Sequence, residues 1–143
     1  MTTPVFPLAP PSVSEVVVTW LRPLGDPNGV GTDRPSGAVL PYRMVTPVAG
    51  TDQYKVMQRA IVSVHTFHNN MDDAESEAQL THQRMLLLGP PFSAPQQVTI
   101  SNNRVVTPIS CDTVQIPTWV DYQDNTIRRF VARYEVALHF MAT

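Results

Sequence analysis

A chain of 143 residues with one cysteine, one lysine and six glycines is constrained first by those shortages. Cys111 alone cannot close an internal disulfide, nor supply the several thiolates of a zinc ribbon or an iron-sulfur site. The chain therefore fits a reducing cytoplasm, or a particle assembled there. Lys55 stands against nine arginines, which reads as genomic codon bias before arginine-specific recognition. Only 15% of the residues are charged, where about a quarter is usual. Ten basic and twelve acidic side chains leave a net charge of -2 and a pI near 6.0, unlike the strongly basic balance of a nucleic-acid-binding domain. The longest aliphatic runs, Val16 to Val18 and Met85 to Leu88, fall far short of the ~18 residues that cross a bilayer, so no membrane partner is expected. The first twelve residues carry no positive charge and are cut by Pro4, Pro7, Pro10 and Pro11, so no secretory leader is expected.

What is present suits one domain over 1–143. Hydrophobic residues make up 43%, enough at this length for a core that needs no disulfide or metal, and fourteen prolines stiffen the connections. Residues 1–11 read as an extended, proline-rich arm. Ser12 and Glu15 form a capping box, with the Ser12 hydroxyl on the Glu15 amide and the Glu15 carboxylate reaching back to the Ser12 amide. Behind it Val13, Val16, Val17, Trp20 and Leu21 recur on one helical face, and Pro23 and Gly25 stop the helix. Three valines lower its propensity, so packing must hold it. From Gly25 to Gly37 nearly every residue is a turn former. This loop lacks the Gly-Lys-Ser/Thr ending of a phosphate loop and the alternating oxygen ligands of a calcium loop. It is expected to be a surface or interface loop, with Asp26, Asp33 and Arg34 as candidate contacts, and to order together with the arm on assembly.

Ala38–Val48 and Val56–Phe67 are β-rich and predict a hairpin joined through Ala49-Gly50-Thr51-Asp52. Met71 to Leu88 changes to helical period, with Ala74, Ala78, Met85 and Leu88 on one face, acids (Asp72, Asp73, Glu75, Glu77) in the first turns and Gly89-Pro90-Pro91 at the end. Val98–Ile100 and Arg104–Val106 flank the turn Ser101-Asn102-Asn103. Asp112 to Tyr122 is β-like but interrupted by Pro117. The final run, Ile127 to Met141, alternates cleanly: Phe130, Ala132, Tyr134, Val136, Leu138 and Phe140 point one way, and Arg129, Val131, Arg133, Glu135 and His139 the other. It far exceeds the usual strand of about five or six residues, so an extension beyond its own sheet is expected. The order α-β-β-α-β-β predicts an α+β fold, an antiparallel sheet with two helices packed on one face. The first helix is expected to lie on Phe130, Tyr134, Val136 and Leu138.

Little in the sequence points to catalysis. His65, His68 and Asp72 offer imidazole and carboxylate ligands for a metal-dependent hydrolase. On a strand, however, His65 and His68 face opposite sides. His82, in mid-helix, is expected to be solvated. There is no Gly-x-Ser-x-Gly elbow, and Cys111 in a β-rich stretch reads as a small buried hydrophobe. No cofactor is expected. Arg128, Arg129 and Arg133 cluster at the start of the last strand, but Phe130 and Tyr134 point away from Arg129 and Arg133, so no stacking platform for bases forms. A salt-bridged surface or interface is the better reading.

Three segments carry a resemblance. They are Leu40-Pro41-Tyr42-Arg43-Met44-Val45 leading to Val48-Ala49-Gly50, then Ile61-Val62-Ser63-Val64 followed by the helix from Asp73-Ala74 to Ala78, and Trp119-Val120-Asp121-Tyr122-Gln123-Asp124-Asn125-Thr126-Ile127-Arg128-Arg129-Phe130. With the capped first helix they span most of the chain, and the pattern resembles the tail terminator proteins of long-tailed phages, particularly those infecting actinobacteria. Where that family often has Gly-Gly after its first strand, this chain has Ala49-Gly50. The resemblance implies a structural, non-enzymatic virion protein of the tail and neck, assembled in the host cytoplasm. It would form a hexameric ring on the major tail tube protein, stop tube growth and present a surface to the head-side connector. Genomic DNA would pass through the lumen without sequence-specific binding. A ring needs head-to-tail contacts. Arg129, Arg133 and Glu135 are candidates, with Asp121 and Asp124 of an adjacent subunit as acidic partners. The alternatives are a head-closure or neck connector protein and, from another class, the hydrolase using His65, His68 and Asp72.

Overall fold

The computed structural model describes residues 3–90 and 95–142. Pro91, the last residue of the expected helix stop, lies outside them. The arm supplies a two-residue strand, β1 (Leu8–Ala9), and helix α1 (Val13–Leu21) follows. The capping box is half formed. The Ser12 hydroxyl accepts from the Glu15 amide at 3.3 Å, but the Glu15 carboxylate accepts instead from the amide of Ser101 at 2.7 Å. A tertiary donor has outcompeted the local one, and this bond holds the Glu15 carboxyl below its ordinary range.

After 3-10 turns at Arg22–Leu24 and Pro27–Gly29 come β2 (Val30–Gly31), β3 (Tyr42–Gln53), β4 (Met57–His68) and helix α2 (Met71–Leu86). The chain ends with β5 (Val98–Thr99), β6 (Val105–Val106), β7 (Ser110–Val120), β8 (Arg128–His139) and β9 (Met141–Ala142). The main sheet has the order β2-β3-β4-β8-β7. Its long pairings are antiparallel, and β2 adds one short parallel pairing to β3. Both helices lie on one face, as the α+β reading predicts.

Three expectations change in detail. The hairpin does not turn at Ala49–Asp52. Pairing continues through Gly50↔Ala60 to Gln53↔Met57, and the chain reverses at Tyr54 and Lys55, whose φ angles are 54° and 58°. Neither residue type announces a left-handed turn, so nothing in the residue pattern marks the tip. Gly50 is needed inside the strand, where a Cβ would come within 2.6 Å of the Arg59 carbonyl oxygen. The long last strand does not overhang, because β4 pairs with β8 along its full length, from Met57↔His139 to His68↔Arg128. Finally, the arm and the 25–37 loop are partly fixed within the single chain. β1 pairs with β9, and Phe6 meets Phe140 edge-on at 6.5 Å. Asp26 caps the turn through the Asn28 amide at 2.8 Å, and Val30 is buried.

The core fills the space between helices and sheet. All five residues of the α1 stripe are buried with Val45, Val62, Val64, Tyr134, Val136 and Leu138. Phe130 belongs instead with Ala74 and Ala78 of α2. The twelve-residue strands are long enough for the two helices to cover different stretches of one face, and α2 takes the Phe130 end. Trp20 ties the helices together: its indole N–H donates to the Arg84 carbonyl at 2.8 Å, and the Arg84 guanidinium lies 3.6 Å over its ring and donates back to the Trp20 carbonyl at 2.9 Å. Beyond Leu88, Gly89 runs so close to β7 that a Cβ would meet the Cys111 amide nitrogen at 2.6 Å.

Candidate assembly surface

Strand alternation sends the other set of side chains to the face away from the helices. On β4 these are Arg59, Ile61, Ser63, His65 and Phe67; on β8 they are Arg129, Val131, Arg133, Glu135 and Ala137, directly opposite. One end of this outer face is roofed by the chain's own loops. Tyr42, Phe67 and Ile127 are buried there with Leu40, Met44 and Tyr122 against them. Phe67 and Tyr122 meet edge-on at 5.2 Å, Arg34 lies over Phe67 at 5.2 Å and Arg129 over Tyr122 at 5.2 Å.

The candidate contact residues divide accordingly. Asp33, Arg34, Asp121, Asp124 and Arg129 converge on the roofed end. The Tyr42 hydroxyl donates to the Asp33 carbonyl, Arg129 Nη2 donates to the Asp121 carbonyl at 2.8 Å, and Arg128 Nη1 donates to the Asn125 carbonyl at 2.7 Å. The Asp124 carboxylate accepts from the Thr126 hydroxyl at 2.6 Å and amide at 2.9 Å, which with the nearby Arg34 holds it below the usual range. Of the two acids expected to serve an adjacent subunit, Asp124 thus has its carboxylate engaged by Thr126, whereas Arg129 holds the backbone carbonyl of Asp121, whose carboxylate accepts from the next amide, Tyr122, at 3.1 Å. Arg133 and Glu135 lie further along the face, where Glu135 accepts from Arg59 at 3.3 Å and Arg133 is exposed. Asp26 sits apart at its turn. Arg129, Arg133 and Glu135 do not form a charged edge, because β8 lies between β4 and β7.

His65 sits half-buried on this face with its Nδ1 unpartnered. Burial, reinforced by Arg129 and Arg133, pushes its pKa down to about 4, so it is neutral at pH 7. His68 lies at the end of β4 with its ring beside Asn69, and Asp72 is exposed in the first turn of α2. No three histidine, cysteine or acidic side chains among the described residues are placed to hold a metal ion. Cys111 is buried and its thiol is pushed up to about 12, so it carries no thiolate at neutral pH.

Other features escaped the sequence reading. His82 is only partly solvated: its Nδ1 lies 2.7 Å from the Tyr134 hydroxyl, and partial burial lowers its pKa. Alternation along β8 marked Tyr134 as core but not its need for a polar partner, which only the docked helix supplies. Arg43, charged yet 1% exposed, donates from Nη2 to Glu77 at 2.5 Å and from Nε to Thr81 at 2.7 Å, joining β3 to α2. The two sides of the sheet also carry exposed apolar residues, Val48 on β3 and Val114, Ile116 and Trp119 on β7.

No family model and no curated protein matches the sequence. Among solved structures, the chain shares its fold with a chain from a structure described as the virion of a native gene transfer agent particle. The TM-score is 0.58 and the identity 14%, over 89% of this chain and 94% of that one. No helix among the described residues is long and apolar enough to cross a membrane.

Proposed function

We propose that this chain is a structural virion protein, a tail terminator that caps the tail tube as a hexameric ring, stops tube growth and offers the joining surface for the head-side connector. The observation that carries the proposal is the likeness to a virion chain along nearly the whole length of both molecules, which supports a shared architecture rather than a borrowed segment. The resemblance to tail terminators narrows it. Its most specific segment, Trp119 to Phe130, occupies the end of β7, the roofing loop and the start of β8, which form the Tyr122–Arg129 cluster. A protein that acts by shape needs a rigid sheet and a patterned surface more than a reactive pocket. In this reading the protein sits at the head-proximal end of the tail, and the genome passes through its lumen without base-specific contact.

The test is deletion of the gene from its phage, with complementation in trans. Overlong, headless tails that return to uniform, head-joined tails on complementation are the expected result in electron micrographs. Tails of normal length that fail to join heads would point to a neck connector, and normal particles without the gene would overturn the proposal.

A further inference from the structure

The main sheet ends in two open edges with the same unusual character. On β3 only Arg43 and Met44 are covered by β2, which leaves the stretch from Val45 to Thr51 without an outside neighbour. Among the described residues no strand pairs with the outer edge of β7, though Gly89 packs against its Ser110–Cys111 end. Soluble proteins usually protect such edges with charged side chains, lysine above all. Charges stand near the ends of the open strands, Asp52 on β3 and Asp112 on β7, and the runs between are uncharged: Val45-Thr46-Pro47-Val48-Ala49-Gly50-Thr51 on one side, Thr113-Val114-Gln115-Ile116-Pro117-Thr118-Trp119-Val120 on the other. Each presents exposed β-branched residues, Val48 at 45% and Val114 and Ile116 at 54% and 65%. Each also has one proline, and the ladder is irregular at one place on β3 and at two on β7.

The registers place the two edges at one height. Thr46 lies opposite Ser63, Ser63 opposite Arg133, and Arg133 opposite Gln115. In the same way Gly50 leads through Ala60 and Val136 to Cys111. The free part of β3 is therefore level with Ser110 to Ile116 of β7, a stretch that includes Asp112. Three successive antiparallel pairings separate these strands, so they run in opposite directions. A second copy set beside the first by rotation about an axis near the strand direction would bring its β7 antiparallel to β3, without axial shift. Different edges meet, so the contact is head-to-tail and repeats until it closes.

We infer that copies of this chain join through β3 of one and β7 of the next, extending one antiparallel sheet from subunit to subunit. This rests on the ring in the proposed function and names the surfaces that would build it. Within one chain Thr46 and Gln115 are three strand spacings apart, about 14 Å. That exceeds the ~7 Å Cα separation a disulfide can bridge, so any bond between cysteines at these positions joins two copies. The experiment compares the purified Thr46→Cys/Gln115→Cys double variant with each single variant, under mild oxidation and native mass measurement. Buried Cys111 stays as the common background. The expected result is a ladder of covalent multimers ending at a closed ring for the double variant, with the single variants stopping at dimers. As a second arm, Val48→Lys and Ile116→Lys should each abolish self-association, while an equal mixture yields dimers only, because one junction retains two unmodified edges. Rings without a 46–115 bond, or single variants that cross-link as well as the double, would overturn the edge pairing and leave the ring intact. Monomers throughout would overturn the edge pairing and the ring together.

Discussion

The two faces of the main sheet are built from the same strands, yet they have different fates. On the inner face Val62, Tyr134, Val136 and Leu138 are fully buried under the helices. On the outer face the intervening positions hold Ile61, Ser63, His65, Arg133 and Glu135, and the chain's own loops roof the end near Phe67. The inner face uses the hydrophobic effect and excludes water. The outer face lays the Arg34 and Arg129 guanidiniums over aromatic rings and ties Asp124 and Glu135 to donors of the same chain. One face makes the subunit, and the proposed function assigns the other, with the two edges, to assembly.

The largest effect expected from this contrast is on the inner face. Trp20→Ala should cost about 3–5 kcal/mol in denaturant melts, as truncation of buried aromatics does. Ile61→Ala, only half-buried on the outer face, should cost under about 1 kcal/mol, and equal costs would erase the distinction. Next comes the charge carried through the sheet into the helix layer. Glu77→Ala strands the buried Arg43, and because Glu77 is partly exposed the loss should be roughly 2 kcal/mol rather than the full range for buried pairs. Replacing both residues with methionine should recover most of it, and a double variant as unstable as Glu77→Ala would refute this account.

A smaller effect concerns His65. Its folded pKa of about 4 lies below the ordinary 6.5. Between those values the unfolded chain takes up a proton that the folded chain refuses. Its contribution to stability is therefore complete above pH 6.5 and is lost as pH falls toward 4. Because His65 is half-exposed, the screened contribution should be about 1 kcal/mol. His65→Gln should flatten that part of the stability–pH curve, and an unchanged slope would show that other groups carry it. The smallest effect is expected for Arg129→Ala and Arg133→Ala, each within about 0.5 kcal/mol of wild type in folding. Together they should weaken assembly on tail tubes in a salt-sensitive way, and unaltered tail length and head joining would remove this face from the interface.

How far the sequence revealed these features depends on how local their causes are. The α1 stripe, the Ala74–Ala78 face and the alternation along β8 were legible, because burial of a regular element imposes its own period. The Asn102 and Asn103 turn was legible too, with φ angles of 59° and 56° at residues that tolerate them. Where a partner lies far along the chain, the pattern fell silent. Arg43 reads as an ordinary strand arginine until α2 brings Glu77 and Thr81 to it, and Glu15 reads as a capping residue until Ser101 arrives. The position of β8 inside the sheet depends on strand order, which alternation does not encode. Of the candidate contacts, the sequence identified the residues that gather around Phe67 but not their division into a locally engaged cluster and an open stretch.

The most direct measurement is a cryo-electron microscopy reconstruction of the head-proximal end of tails from the phage that carries this gene. The account predicts one closed ring of this chain at that end, six copies around, with β7 of each subunit paired to β3 of the next and the helices outside that seam. A tail end without this chain, or the chain repeated along the whole tube, would contradict it.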